Sequence, residues 1–308
     1  RYMETYGKKE NDNVTFFTAT DGNHGRGVAW AARQLGKRAV VYMPAGSSQM
    51  RLDNIRKEGA KAEVLDMNYD DCVRFAAKEA MQTPGGVILQ DTAWEGYEEI
   101  PTWIMQGYGT MVEEAVEQMQ QQGVERPTHV FVQAGVGSLA GAVVGYLVNR
   151  WKDRPPVFVL VEAESAACHY ESALRGDGKT YSVSGDLKTI MAGLACGEVN
   201  PVSWEILRNY VSVFTAVPDW VAKKGMRMLF SPPEGDERVV SGESGAAPFG
   251  FLASVLQMDA YEELKDVVGL KEDSVVLLFS TEGDTDPEHY RKVVFDIDGR
   301  KSDMLKFK

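Results

Sequence analysis

Three short stretches pair glycine with hydroxyl, amide or carboxylate side chains in positions where a backbone turn could hold an anion. Thr20, Asp21, Gly22, Asn23, His24 and Gly25 follow a β-rich run and lead into a helical period. Gly22 and Gly25 let the main chain approach a ligand, Asn23 brings an amide donor, and the Asp21 carboxylate could take a proton or face a cation. A plain helix cap uses the same residue types, so capping stands beside ligand binding here. In the second stretch, Gly135, Val136, Gly137, Ser138 and Leu139 open another helix. Bare amides at a helix N-terminus, joined by the Ser138 hydroxyl, make a phosphate cradle. Gly135, Gly137 and Gly141 run one residue past the dinucleotide spacing G-x-G-x-x-G, which weakens a nucleotide reading with Glu162 as ribose partner. A tight turn without a ligand is the bland alternative. The third stretch puts the hydroxyls of Ser280 and Thr281 at the end of an apolar run, where one of them could face a heteroaromatic nitrogen. A strand-terminal turn accounts for it equally well taken alone.

All three stretches sit where a β-rich run gives way to a turn, and that is where parallel sheets place ligands. The spacing predicts strands over 15–20, 39–43, 62–65 and 87–90, with helices over 27–35, 49–58 and 69–81 between them. A long helix over 101–122 follows. Strands are then expected over 128–133, 157–162, 211–217 and 275–280, and helices over 138–148, 163–174, 219–229 and 245–256. The alternation predicts an α/β protein with two parallel-sheet domains and a ligand cleft between them. The expected division is a small domain over 13–95 and a large one over 96–308. The run 231–236 reads as a loop between helices, and 291–308 as a charged tail without clear period or assigned function.

Composition excludes several classes. Asp and Glu number 45 against 33 Lys and Arg, and the resulting formal charge of −12 repels nucleic acid and anionic membrane surfaces. Hydrophobic residues at 44% supply an ordinary globular core. Cys72, Cys168 and Cys196 cannot build an even disulfide framework, and no signal peptide or long apolar stretch is legible, so a cytoplasmic protein is expected. A Cys168–Cys196 pair stays open. His129, His169 and His289 lack partners at ligand spacing, and no metal site is expected.

Together the motifs resemble the pyridoxal-phosphate enzymes of fold type II, the group of threonine dehydratase, cysteine synthase and tryptophan synthase β. The resemblance runs from about residue 14 to 290. Within the group it is strongest to the diaminopropionate ammonia-lyases, through the stretches 20–30, 90–97, 190–198 and 280–286. It implies that pyridoxal 5′-phosphate binds with Asn23 on its phenolic oxygen, Gly135 to Leu139 on its phosphate, and Ser280 or Thr281 on its pyridine nitrogen. A hydroxyl partner leaves that nitrogen unprotonated, which suits elimination more than deeper carbanion chemistry.

Common dehydratases carry a small residue where this chain has Asp21. The carboxylate could pair with a β-ammonium or act as a general base. Asp91, expected to end the fourth strand, is the second candidate carboxylate, with an N-cap as its bland alternative. Thr20, Gly22 and His24 are expected on the substrate side, although a His in that place also packs simply as a helix-start residue. Glu243 stands near the ring or merely at a helix start. Aromatics Trp94, Tyr97, Trp103 and Tyr108 wall the pocket or fill the core.

The resemblance also implies a lysine in a Phe-Lys context upstream of the Asn loop, and no lysine of this sequence fits. Lys8 and Lys9 lie in a polar turn, and Lys37, Lys57 and Lys61 at helix ends or loops. The expectation is that this lysine precedes Arg1 and that the chain is a fragment. The implied reaction is elimination of ammonia from 2,3-diaminopropionate, on one or both enantiomers, by a homodimer. The rivals are a serine/threonine dehydratase, a nucleotide-dependent oxidoreductase and a non-catalytic amino-acid sensor.

Overall fold

The computed structural model describes residues 13–20 and 22–295. Asp21, the residues before 13 and those after 295, which include most of the charged tail, lie outside the described residues.

The first sheet is built from β1 (Thr15–Ala19), β2 (Arg38–Met43), β3 (Lys61–Val64) and β4 (Gly86–Ile88), all parallel, in the order β3-β2-β1-β4. Helices α1 (Asn23–Gln34), α2 (Gln49–Lys57) and α3 (Tyr69–Gln82) make the crossovers. The strand period of two sorts side chains onto opposite faces. Phe17, Ala19 and Tyr42 pack with Cys72, Val73 and Ala76 of α3, whereas Ala39, Val41 and Met43 pack with Ala29, Ala32, Leu52 and Ile55 of α1 and α2.

After α4 (Glu99–Gln121) the pattern repeats. The second sheet comprises β5 (His129–Gln133), β6 (Val157–Ala163), β7 (Val211–Val217) and β8 (Val276–Leu278), again parallel, in the order β7-β6-β5-β8. Its helices are α5 (Ser138–Arg150), α6 (Cys168–Arg175), α7 (Pro201–Tyr210), α8 (Asp219–Phe230), α9 (Glu243–Gln257), α10 (Glu262–Val268) and α11 (Pro287–Phe295). Val130, Val132, Phe158 and Leu160 face α4, α5 and α7, while Phe131, Val159 and Val161 face α8 and α9. Both faces are covered, which is why β5 and β6 read as near-continuous apolar runs.

Several boundaries depart from the sequence expectation. Helix α1 starts at Asn23, four residues before the expected start, because the Thr20 hydroxyl accepts from the N–H of Gly22 at 2.9 Å and of Gly25 at 3.0 Å and folds the Asn stretch into the first turn. The helix expected from 163 begins at Cys168, where the Glu162 carboxylate collects the amides of His169 and Tyr170. Strand β8 ends at Leu278 rather than 280, since the Phe279 carbonyl is taken by the Gln133 side chain instead of a ladder partner. Helices α7, α10 and α11 lie where the sequence predicts none. For α7 and α11 the signal was present as Asn200-Pro201 and Pro287, with proline in the first helical turn. Over 287–295 the tail is helical rather than aperiodic, because Tyr290 and Val293 pack on the α8 end at Phe230.

Candidate active site

In each sheet the strand order reverses beside the first strand, between β1 and β4 and between β5 and β8. Such switch points open a crevice at the carboxyl ends of the strands. The segments that leave these four strands all border one cavity of about 420 Å³: Thr20, Gly22, Asn23 and His24 after β1, Asp91 after β4, Gly135 to Leu139 after β5, and Thr281 after β8.

The glycine stretch is held by its neighbours. Gly137 caps α5 at φ +98°, a conformation that side chains disfavour, and a Cβ there would lie 2.3 Å from His169 Nε2. A Cβ on Gly135 would meet Gly193 O at 2.8 Å, so the turn Ala192–Leu194 seats against the loop. The first amides of α5 have no carbonyl one turn earlier within the helix, which leaves them for an anion. Ser138 contributes differently from the expectation of a hydroxyl donor. Its hydroxyl donates to Asp91 O and accepts from Asn200 Nδ2 at 2.8 Å, so it is engaged within the protein.

Asp91 is not a helix cap. Its Oδ1 accepts from Tyr69 Oη at 3.2 Å and from Gln90 Nε2 at 3.0 Å, while Asn200 Nδ2 also reaches its carbonyl at 3.3 Å. Burial first, and then the Asp91 charge, pushes the Tyr69 phenol well above its ordinary range, so it stays a donor. Gln90 is fully buried and braces the same strand end through Ala19 N and Ala19 O. Tyr97 donates to Ile88 O and receives Gln90 N at 2.8 Å, and its ring stacks on Trp94 at 4.2 Å. Those aromatics shape the strand end, Tyr108 lines the cavity, and Trp103 is solvent-exposed.

Across the cleft, Asn23 Nδ2 donates to Thr281 O at 3.0 Å. Gln133 Nε2 donates to Thr281 Oγ1 at 3.0 Å, which leaves the threonine O–H to donate elsewhere. Ser280 Oγ instead donates to Ser241 Oγ at 2.8 Å. His24 lines the cavity edge with its Nε2 on Leu89 O at 2.8 Å, the packed role that its position allows. Glu243 begins α9 beside Arg51, whose Nη2 lies 2.9 Å from Glu282 Oε1 and 3.5 Å from Glu243 Oε2. Arg51, Tyr69, Gln133 and Asn200 escaped the sequence reading because each works by contact with a residue far along the chain.

The wall suits a phosphorylated heteroaromatic ring. Gln133 Oε1 and Ser244 Oγ border the cavity, are buried, and have no hydrogen-bond partner among the described residues. Such orphans cost about 1–3 kcal/mol each, which a polar ligand recovers. Glu162 cannot serve a ribose: it is fully buried, and its oxygens are held by His169 and the amides of α6.

Residues 2–280 match the model of the family described as pyridoxal-phosphate dependent enzyme. The diaminopropionate ammonia-lyase of Escherichia coli is 54% identical over 285 residues, 92% of this chain and 71% of that protein. Its crystal structure in complex with D-serine superposes with a TM-score of 0.88 at 51% identity, covering 96% of this chain and 73% of that one. The same enzyme in complex with an aminoacrylate-PLP azomethine reaction intermediate gives a TM-score of 0.86 at 51% identity, covering 96% and 75%. The chain belongs to the pyridoxal-phosphate dependent enzymes, in the family of the diaminopropionate ammonia-lyases.

Proposed function

We propose that this protein removes ammonia from 2,3-diaminopropionate by α,β-elimination, leaving an enamine whose hydrolysis yields pyruvate and a second ammonia. The observation that carries the reading is the meeting of the Asp91 carboxylate, the glycine loop and the Thr281 hydroxyl in one cavity at two facing switch points. Pyridoxal 5′-phosphate, when bound, supplies an electron sink that acidifies the α C–H. The loop amides would hold its phosphate, the Thr281 hydroxyl would face its ring nitrogen, and Asn23 would reach its phenolic oxygen. Asp91, with Oδ1 fixed by Tyr69 and Gln90, takes or returns a proton at the α or β position. Asp21 is the companion carboxylate, and the two together would serve opposite enantiomers.

Thr20, through the cap it builds for α1, and Gly22 and His24 hold the substrate-side rim. The small domain is taken as 13–95 and the large one from 96, in a cytoplasmic homodimer. No helix among the described residues is long and apolar enough to cross a membrane, and the three cysteines are buried thiols. The test is steady-state kinetics of the full-length protein and of Asp21→Asn on both enantiomers of diaminopropionate and on serine. A kcat/KM for serine above that for diaminopropionate would favour a dehydratase, and unchanged activity of Asp21→Asn on both enantiomers would remove Asp21 from the chemistry.

A further inference from the structure

A buried polar pair that elimination does not use lies against the glycine loop. Glu162 and His169 are both fully buried. Glu162 Oε1 accepts from His169 N at 2.9 Å and lies 2.8 Å from His169 Nδ1, and Oε2 accepts from Tyr170 N at 2.7 Å. A carboxylate accepts, so Nδ1 carries its hydrogen and the ring is oriented. The opposite atom, Nε2, is enclosed and has no hydrogen-bond partner among the described residues. It aims at the loop: a Cβ built on Gly137 would stand 2.3 Å from Nε2 and 2.8 Å from Ser203 Oγ. Gly137 is therefore seated between the imidazole and Ser203, and the ring sets how far the loop can sink.

Cys168 brings a third candidate ligand atom within 4.8 Å of the other two. Burial, with the Glu162 charge second, pushes its thiol well above the ordinary range, and the Glu162 oxygens already hold three N–H groups. With Cys168 Sγ 3.7 Å from Glu162 Oε1, the three side chains form one hydrogen-bonded core behind the loop.

We propose that the Glu162–His169 pair is a positioning element for the cofactor's phosphate: Glu162 locks the imidazole, and the Nε2 edge props Gly137 so that the first amides of α5 converge on the phosphoryl oxygens. The inference rests on the pyridoxal phosphate reading of the cavity. Without the prop the loop settles inward and its amides diverge.

The test compares two ligands on the full-length protein, pyridoxal 5′-phosphate and pyridoxal without phosphate, with dissociation constants from tryptophan fluorescence or calorimetry. His169→Asn keeps an N–H for Glu162 but removes the distal edge of the ring. Its affinity for pyridoxal 5′-phosphate should fall about tenfold, the scale of one lost hydrogen bond, with pyridoxal changed less than about twofold. Equal weakening of both ligands would assign the pair to general packing and overturn the proposal, as would no weakening of either. Should that variant fail to fold, Glu162→Gln loosens the anchor with the ring in place and should give the same split. Wild-type protein that binds the phosphorylated ligand no better than pyridoxal would overturn the cofactor reading, and this inference with it.

Discussion

Gln133 Nε2 donates at once to Phe279 O at 2.9 Å and to Thr281 Oγ1 at 3.0 Å, tying the end of β5 to the chain leaving β8. A carbonyl can only accept, so the amide cannot be turned the other way round, and the Thr281 hydroxyl is left with its own hydrogen to give. One glutamine thus closes the second sheet at its edge and orients the hydroxyl that faces the cavity.

Thr281→Val should lower kcat about tenfold, the loss of one aimed hydrogen bond, while cofactor remains bound. Gln133→Leu should lower it less, because the hydroxyl survives with its direction unset. Steady-state rates read beside the cofactor absorbance check both, and an unchanged kcat in Thr281→Val would take that hydroxyl out of the site.

Asp91 gives a second prediction. Asp91→Asn should cost about a hundredfold or more in kcat on one enantiomer of diaminopropionate, the usual weight of a general base, and leave cofactor affinity near wild type. Tyr69→Phe removes one donor to Oδ1 and should cost about tenfold on the same enantiomer. Equal losses on both enantiomers would mean that Asp91 serves a shared step.

Glycines separate fold from site. Gly137→Ala forces a side chain into φ +98° and onto His169 Nε2, so the apoprotein should melt about 5 °C or more lower and bind cofactor poorly. Gly27 lies inside α1, where an added Cβ meets nothing within 4 Å. Gly27→Ala should therefore raise stability by up to about 1 kcal/mol through helix propensity. Thermal scans of the two variants should move in opposite directions.

The pH dependence of stability follows from two buried carboxyls. Desolvation, with Glu282 second, raises Glu243 to about 7, and desolvation, with Glu198 second, raises Asp70 to about 6. Both hold a proton in the folded protein at pH values where the unfolded chain has released it. The folded state then binds more protons, and stability falls as pH rises from about 4 through 6 to 7, levelling above that. The double variant Asp70→Asn/Glu243→Gln should flatten that slope in melting temperature against pH. An unaltered slope would place its source in other groups.

The strands and the first-domain helices were legible because burial on a parallel sheet imposes a composition and a period. Val130 to Gln133 and Val157 to Val161 read as strands since both sheet faces are covered. The glycine loop, Asn23 and Asp91 were legible too, because a turn at the end of a strand before a helix has few ways to be built.

What the sequence by itself determined, then, is the alternation of strand and helix and the residues placed at strand ends, since these depend on neighbours only a few positions away. Only the tertiary structure decided which of those ends meet, and which distant groups aim them: Tyr69 and Asn200 on Asp91, Gln133 on Thr281, and His169 against Gly137. Hydrogen bonds across 22 to 148 positions leave no periodic trace in the chain, because their directionality is satisfied in space rather than along the backbone.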